Sequence, residues 1–203
     1  MADSRIYYVN EEGCKVWVIP NYNTPEQDAA QHAEIKSLPL IQHYLGVKWG
    51  KETYQPRLSI GLGKEYAYSG KVHPAIPFEQ APLALATCQR INREFGTAFN
   101  GALALYYRTG EDTIACHSDS EDTLAKGGAV YGLSTNCERD MIMKWLEPGK
   151  RTHDKSRPRI VIPLPPGSLF GMEGDTQKRM THEMPARKRA SDRGSITFRQ
   201  FKE

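Results

Sequence analysis

Residues 101–107 read GALALYY, and the turn-rich RTGED of 108–112 leads into TIACHSD at 113–119. A short apolar and aromatic run closed by Gly and Asp is the pattern of a strand ending in a turn. The same alternation recurs to the C-terminus. Runs at 112–116, 128–133, 139–145, 159–164, 168–172, 180–184 and 194–201 are short, apolar or β-branched, and bounded by turn residues. Eight such strands in about a hundred residues predict an antiparallel sandwich or jelly roll.

Upstream the pattern changes. Thr24-Pro25-Glu26-Gln27 combines a capping residue, a proline suited to the first turn and a glutamine able to reach back. A helix is predicted from there to Ser37, with a second short one near Leu40–Tyr44. Ala84, Cys88, Ile91 and Phe95 recur at helical spacing between Pro82 and Gly96, which predicts a helix over 80–95 with one buried face. Short strands are predicted at 5–9, 15–19 and 57–62. Helices first and strands after give an α+β chain whose helices pack on one sheet. No internal repeat or low-complexity linker interrupts it, so a single domain over 1–203 is expected.

Composition narrows the function classes. The chain has 27 Lys and Arg against 24 Asp and Glu, a net charge of +3, which is not the field of a histone-like binder. Local runs are more basic: residues 148–159 (PGKRTHDKSRPR), and Arg187-Lys188-Arg189 followed by Arg193. Such runs attract polyanions by counterion release, or are solvated loops. Cys14, Cys88, Cys116 and Cys137 lie far apart with no C-x-x-C pair, so neither a structural zinc site nor a disulfide scaffold is expected. No apolar stretch approaches the ~20 residues of a membrane span, and Met1-Ala2-Asp3-Ser4-Arg5 lacks a secretory pattern. A cytoplasmic or nuclear, monomeric protein without membrane association is expected. His32, His43, His73 and His153 are expected at the surface.

The chemistry concentrates in two places. His117-Ser118-Asp119 is an H-x-D, and on an extended strand residues two apart face the same side. These two could hold one metal ion, with His182 the best candidate for a third ligand. Two histidines and a carboxylate form the facial triad of non-haem Fe(II) oxygenases, with positions left for a cosubstrate and O2. Near the C-terminus, Arg193-Gly194-Ser195-Ile196-Thr197-Phe198-Arg199 puts two arginines on one face of a predicted strand. Paired guanidinium groups suit a dicarboxylic acid. Taken with the H-x-D, they point to an iron site with a 2-oxoglutarate pocket.

Ordered motifs carry a resemblance to the AlkB family of Fe(II)- and 2-oxoglutarate-dependent dioxygenases. They are Pro56-Arg57-Leu58 with Tyr66-Ala67-Tyr68-Ser69-Gly70; Phe99-Asn100 with Leu103, Tyr107, Gly110 and His117-Ser118-Asp119-Ser120-Glu121; Gly167-Ser168-Leu169 with Met172, Gly174, Gln177, His182 and Pro185; and Arg193 to Arg199. The resemblance implies a double-stranded β-helix, with an N-terminal extension and nucleotide-recognition lid over 1–75 and the helix plus catalytic jelly roll over 76–203. It implies Fe(II) on His117, Asp119 and His182. Arg199 would bind the 1-carboxylate end of 2-oxoglutarate, and Arg193 with Tyr107 the far carboxylate. Ser195 and Thr197 would line the pocket between the arginines. Tyr68 would stack on a flipped base, with Tyr66, Ser69 and Glu121 around it.

The activity so implied is oxidative demethylation of N-alkylated bases, of the 1-methyladenine or 3-methylcytosine type, in DNA or RNA, releasing formaldehyde and succinate. The alternatives are an oxygenase of the same fold acting on a protein or another substrate, and a non-catalytic nucleic-acid-binding module. Two positions depart from the family pattern. Leu105 and Ser195 stand where asparagine is frequent, which predicts weaker 2-oxoglutarate affinity. Glu183, beside His182, is a third departure.

Overall fold

The computed structural model describes residues 4–68, 71–119, 123–125 and 127–202, with only the backbone described at 66–68 and 71–73. The chain opens with a hairpin of β1 (Ile6–Glu11) and β2 (Cys14–Ile19), followed by α1 (Pro25–Ser37). The capping box predicted at Thr24 is formed: the Gln27 backbone N–H donates to Thr24 Oγ1, and the Gln27 side chain accepts from the Thr24 backbone N–H. Next come β3 (Tyr44–Lys48), β4 (Lys51–Tyr54), β5 (Leu58–Leu62), β6 (Tyr66–Tyr68), β7 (Lys71–His73), β8 (Ala75–Ile76), a 3-10 turn at Phe78–Gln80 and α2 (Pro82–Phe95). The start of α2 has no capping side chain of its own; Glu34 of α1 accepts from the backbone N–H groups of Leu83 and Ala84. Gly96 closes the helix in the left-handed region that favours glycine.

The second half is almost entirely strand: β9 (Gly101–Tyr107), β10 (Ile114–His117), β11 (Val130–Thr135), β12 (Arg139–Trp145), β13 (Ile160–Leu164), β14 (Leu169–Gly174), the one-turn α3 (Thr176–Arg179), β15 (Met180–Met184) and β16 (Arg193–Arg199). Three of these, 101–107, 139–145 and 180–184, have the predicted bounds. An eight-stranded sheet runs in the order β1-β2-β14-β11-β16-β9-β5-β8, and a four-stranded sheet in the order β10-β15-β12-β13. This is the jelly roll, built on antiparallel pairs except for β5 with β8.

Two apolar layers result. Leu103, Leu105, Met141, Met143, Ile162, Leu164, Phe170 and Met172 belong to the core of the jelly roll. Ile35, Ala84, Cys88, Ile91, Ala104, Leu133, Ile196 and Phe198 form the second layer, which contains the inward faces of both helices. Period-two alternation divides each central strand between the layers. On β16, Ile196 and Phe198 join the helix-side layer while Arg193, Ser195, Thr197 and Arg199 face a pocket in the jelly roll. All seven residues of β16 are buried.

Two expectations fail here. Residues 40–44 are not helical. Ile41 pairs through both backbone groups with Ser59, and Tyr44 begins the β3–β4 hairpin, which turns at Trp49-Gly50 with positive φ at both. Pro39 and Gly46 flank a run too short to sustain a helix. His32 is buried rather than exposed. Its Nδ1 lies 3.0 Å from Thr135 Oγ1 and its Nε2 3.1 Å from the Asp192 carboxylate. The inner face of α1 is polar, formed by Asp28, Gln31 and His32 beside Ile35, so apolar periodicity does not reveal it.

Candidate active site

β10 and β15 run antiparallel with His117 opposite His182, and the two ring centroids are 4.2 Å apart. Asp119 lies two residues past His117, where β10 has already ended. The same-face argument for an H-x-D on a strand therefore does not place it; three contacts do. Its N–H donates to Gln177 Oε1 at 2.9 Å, and the neighbouring Ser118 hydroxyl donates to the Met180 carbonyl at 2.9 Å. Its two carboxylate oxygens each accept from Arg199 Nη2 at 3.2 Å. One ligand-type atom from each of His117, Asp119 and His182 falls within 4.8 Å of the others, a spacing that could hold a metal ion. His117 Nδ1 lies 2.8 Å from the Ala115 carbonyl. A proton on Nδ1 makes that contact a hydrogen bond and leaves Nε2, 3.7 Å from Asp119, as the lone-pair nitrogen.

The electrostatics keep all three in ligating form. Burial alone would raise the Asp119 carboxyl, but Arg199 and the two imidazoles outweigh it and hold it at about 2. Burial, reinforced by His117, lowers the His182 imidazole to about 3. Burial also lowers His117, against the pull of Asp119. At pH 7 the site is a carboxylate with two neutral imidazoles, as a divalent ion requires.

The pocket extends from this cluster between the two sheets. Leu103, Leu105, Met141, Leu164, Phe170 and Met172 line its apolar walls, while Tyr107, Arg193, Ser195, Thr197 and Arg199 bring polar groups into it. Across the β9–β16 pair, Arg193 stands opposite Tyr107 and Ser195 opposite Leu105. Arg193 is 1% exposed; its Nε donates to Ser134 Oγ at 3.1 Å, while Nη1 and Nη2 meet no hydrogen-bonding partner among the described residues. Burial lowers its guanidinium to about 10, opposed by Tyr107 and assisted by Arg139. Arg193 is thus part of the pocket wall, not of the exposed basic run that its sequence neighbours suggested.

The other basic runs are partly neutralised. Arg157 pairs with Glu11 and Glu12 and lies 3.6 Å from the Trp145 ring, and Lys150 and Arg187 pair with Glu147 and Glu138. Glu183 lines the pocket and pairs with Lys144 at 2.8 Å. Cys116 is exposed, its thiol 3.1 Å from Thr181 Oγ1. Ser69, Glu121 and the side chains of Tyr66 and Tyr68 lie outside the described residues.

Sequence reasoning overlooked three further pocket residues. Gln55, Arg57 and Ser59 line the wall beside His117, each buried and each with a side-chain atom lacking a hydrogen-bond partner among the described residues. Their spacing of two, running into a predicted strand, was the available signal.

Residues 15–199 match the family model described as the 2OG-Fe(II) oxygenase superfamily. Among curated proteins, the chain is 32% identical over 148 residues to the alpha-ketoglutarate-dependent dioxygenase alkB homolog 3 of Rattus norvegicus, covering 71% of this chain and 50% of that protein. It is 29% identical over 141 residues to the DNA oxidative demethylase ALKBH2 of Bos taurus, covering 68% and 50% respectively. The chain thus spans about half the length of these relatives. The solved structure of OsALKBH1 superimposes with a TM-score of 0.59 at 14% identity, covering 96% of this chain and all of that one, which is a likeness of fold.

Proposed function

The chain belongs to the AlkB family within the 2OG-Fe(II) oxygenase superfamily, and on that premise we propose that it oxidatively demethylates N-alkylated bases in DNA or RNA. The family implies Fe(II), 2-oxoglutarate and O2, and the donor set fits them. Two neutral imidazoles and one ionised carboxylate suit Fe(II) better than a hard cation or a thiolate-seeking one. A buried ring nitrogen of His182, Nδ1, finds no partner among the described residues. The metal with 2-oxoglutarate and O2 would hydroxylate the N-methyl group, giving succinate and carbon dioxide, and the resulting hemiaminal would break down to formaldehyde and the unmethylated base.

The protein's part is binding, orientation and exclusion of water. His117, Asp119 and His182 would hold the metal. Arg199 keeps Asp119 ionised and would meet the carboxylate end of the cosubstrate nearest the metal. Arg193 and Tyr107 would hold the far carboxylate, with Ser195 and Thr197 between. The apolar walls would keep water from the reacting end of the pocket, and Gln177 fixes the loop that carries Asp119. Tyr66, Tyr68, Ser69 and Glu121 would receive the flipped base; stacking on an aromatic ring supplies about 1–3 kcal/mol. A base whose methylation blocks pairing is cheaper to extrude than a paired one.

One observation carries this reading: a fully buried arginine with two unpartnered nitrogens in the wall of the pocket that contains the two-histidine, one-carboxylate cluster. The test is formaldehyde release from matched single- and double-stranded DNA and RNA carrying one 1-methyladenine or 3-methylcytosine. Release that requires both iron and 2-oxoglutarate is expected. Turnover that persists without 2-oxoglutarate, or succinate formation driven by peptides and not by methylated oligonucleotides, would overturn it.

A further inference from the structure

Arg139 is the first residue of β12 and is fully buried. It lies two residues from Met141, which lines the pocket, and so belongs to the inward row of that strand. Its Nη2 donates to the carbonyls of Asp112 and Pro185, at 3.0 and 2.6 Å. Its Nε and Nη1 have no partner among the described residues. The nearby Asp112 carboxylate is already taken by Arg108, whose Nε and Nη2 lie 2.8 and 2.9 Å from its two oxygens.

The Arg139 guanidinium carbon lies 5.7 Å from the centre of the Tyr107 ring, and that of Arg193 lies 5.3 Å from the same centre. Two buried cations therefore share one aromatic ring, one from each sheet, and Arg139 adds to the burial that lowers the Arg193 guanidinium. Two buried like charges set on one ring are unfavourable unless an anion compensates them. The ring's negative face offsets part of that cost. The remainder calls for a ligand carboxylate at this end of the pocket.

We propose that Arg139 is a positioning residue for the cosubstrate: acting through Tyr107 and beside Arg193, it makes the far end of the pocket selective for a 2-oxo acid bearing a second carboxylate. The proposal rests on the 2-oxoglutarate reading of the pocket and adds a determinant from the opposite sheet. The charge of Arg139 adds to the field on the far carboxylate, and its contact with the ring fixes where the phenol group sits. On this proposal the metal end, where Arg199 pairs with Asp119, is unaffected.

Binding to the Mn(II)-loaded protein, measured by titration calorimetry without turnover, tests it. The ligands are 2-oxoglutarate and 2-oxovalerate, which lacks the second carboxylate. Arg139→Gln is expected to weaken 2-oxoglutarate about tenfold, the size of one lost charge-assisted interaction, and to leave 2-oxovalerate unchanged. Arg139→Lys keeps the charge without the planar fork and is expected to lose about threefold for 2-oxoglutarate alone. If Arg139→Gln does not fold, the lysine variant carries the same comparison. Equal weakening of both ligands, or of neither, overturns the proposal while the pocket reading stands. Failure of the unmodified protein to bind 2-oxoglutarate overturns both.

Discussion

Replacing Arg193 by Met should make the ligand-free protein more stable and abolish its response to 2-oxoglutarate. The guanidinium is 1% exposed and has no carboxylate partner among the described residues. Its proton affinity falls from the ordinary guanidinium range to about 10, chiefly through burial. At about 1.4 kcal/mol per tenfold change, keeping that charge costs the fold about 3 kcal/mol. Both values lie above 7, so the cost is present in full at neutral pH and eases only as pH rises past about 10. Methionine removes the charge and fills similar space. It forfeits the bond to Ser134, worth about 1 kcal/mol, and the contact with the Tyr107 ring, worth about 1 kcal/mol. The balance is about 1 kcal/mol in favour of the variant, or about 2–4 °C in melting temperature for a chain of this size. Saturating 2-oxoglutarate with Mn(II), at a hundredfold excess over its Kd, should stabilise the unmodified protein by about 2.7 kcal/mol and the variant not at all. The assay is thermal melting of both proteins with Mn(II), with and without 2-oxoglutarate. A variant that melts well below the unmodified protein without ligand, yet still gains several degrees with it, would refute the argument.

Other outcomes follow from the same geometry. Asp119→Asn should fold but fail to retain Mn(II) at micromolar concentration, seen by equilibrium dialysis, because it removes the one anionic ligand of the cluster. Gly132→Ala would place its Cβ 2.1 Å from a ring carbon of Phe170, which lines the pocket; overpacking of this kind costs about 1–3 kcal/mol, so denaturant melts should shift down and the KM for 2-oxoglutarate should rise as the ring is displaced. Burial opposes ionisation of Asp192, but Tyr106, His32 and Lys36 hold its carboxyl at about 2 against an ordinary 3.8. Its stabilising contribution is therefore complete above pH 3.8 and lost as pH falls towards 2. In acid melts, Asp192→Asn should lie below the unmodified protein at pH 6, with the gap closing towards pH 2; a gap that does not depend on pH would contradict this.

How much was legible in the sequence depended on whether a residue's role was written in local period. The strands of the second half are short apolar or β-branched runs set among turn-rich segments, so 101–107, 139–145 and 180–184 could be bounded without a structure. On β16 a period of two separates Arg193, Ser195, Thr197 and Arg199 from Ile196 and Phe198. The hairpin at 44–54 was hidden because its residues are largely exposed and mixed in character, giving no alternation to read. His32 was missed because its buried neighbours on α1 are polar. Asp119 lies with the two histidines, but the same-face argument for a strand does not put it there, since it is Gln177, Ser118 and Arg199 that fix its position. Arg139 was legible in principle, standing in register with Met141, Met143 and Trp145, all buried, but an arginine on an inward row is usually discounted.

The charges around the pocket explain why its arginines are kept despite their cost. Arg57, Arg193 and Arg199 line it against two carboxylates, Asp119 and Glu183. Glu183 already pairs with Lys144 and Asp119 with Arg199. His117 and His182, both lowered, add no charge at neutral pH. Arg57 and Arg193 are left without carboxylates among the described residues, and Arg139 adds a third cation behind Tyr107. A divalent metal at the cluster raises the excess further. A monoanion would leave most of that charge in place, and a neutral ligand all of it. A dianion whose two carboxylates lie apart can meet the metal end and the Tyr107 end together, and each pairing is strongest where water is excluded. The same excess makes the empty pocket costly, so ligand affinity and the instability of the free protein have one physical origin. Mutations that lower the one should relieve the other, and a variant that loses 2-oxoglutarate binding with no change in ligand-free stability would place the recognition elsewhere than in these buried cations.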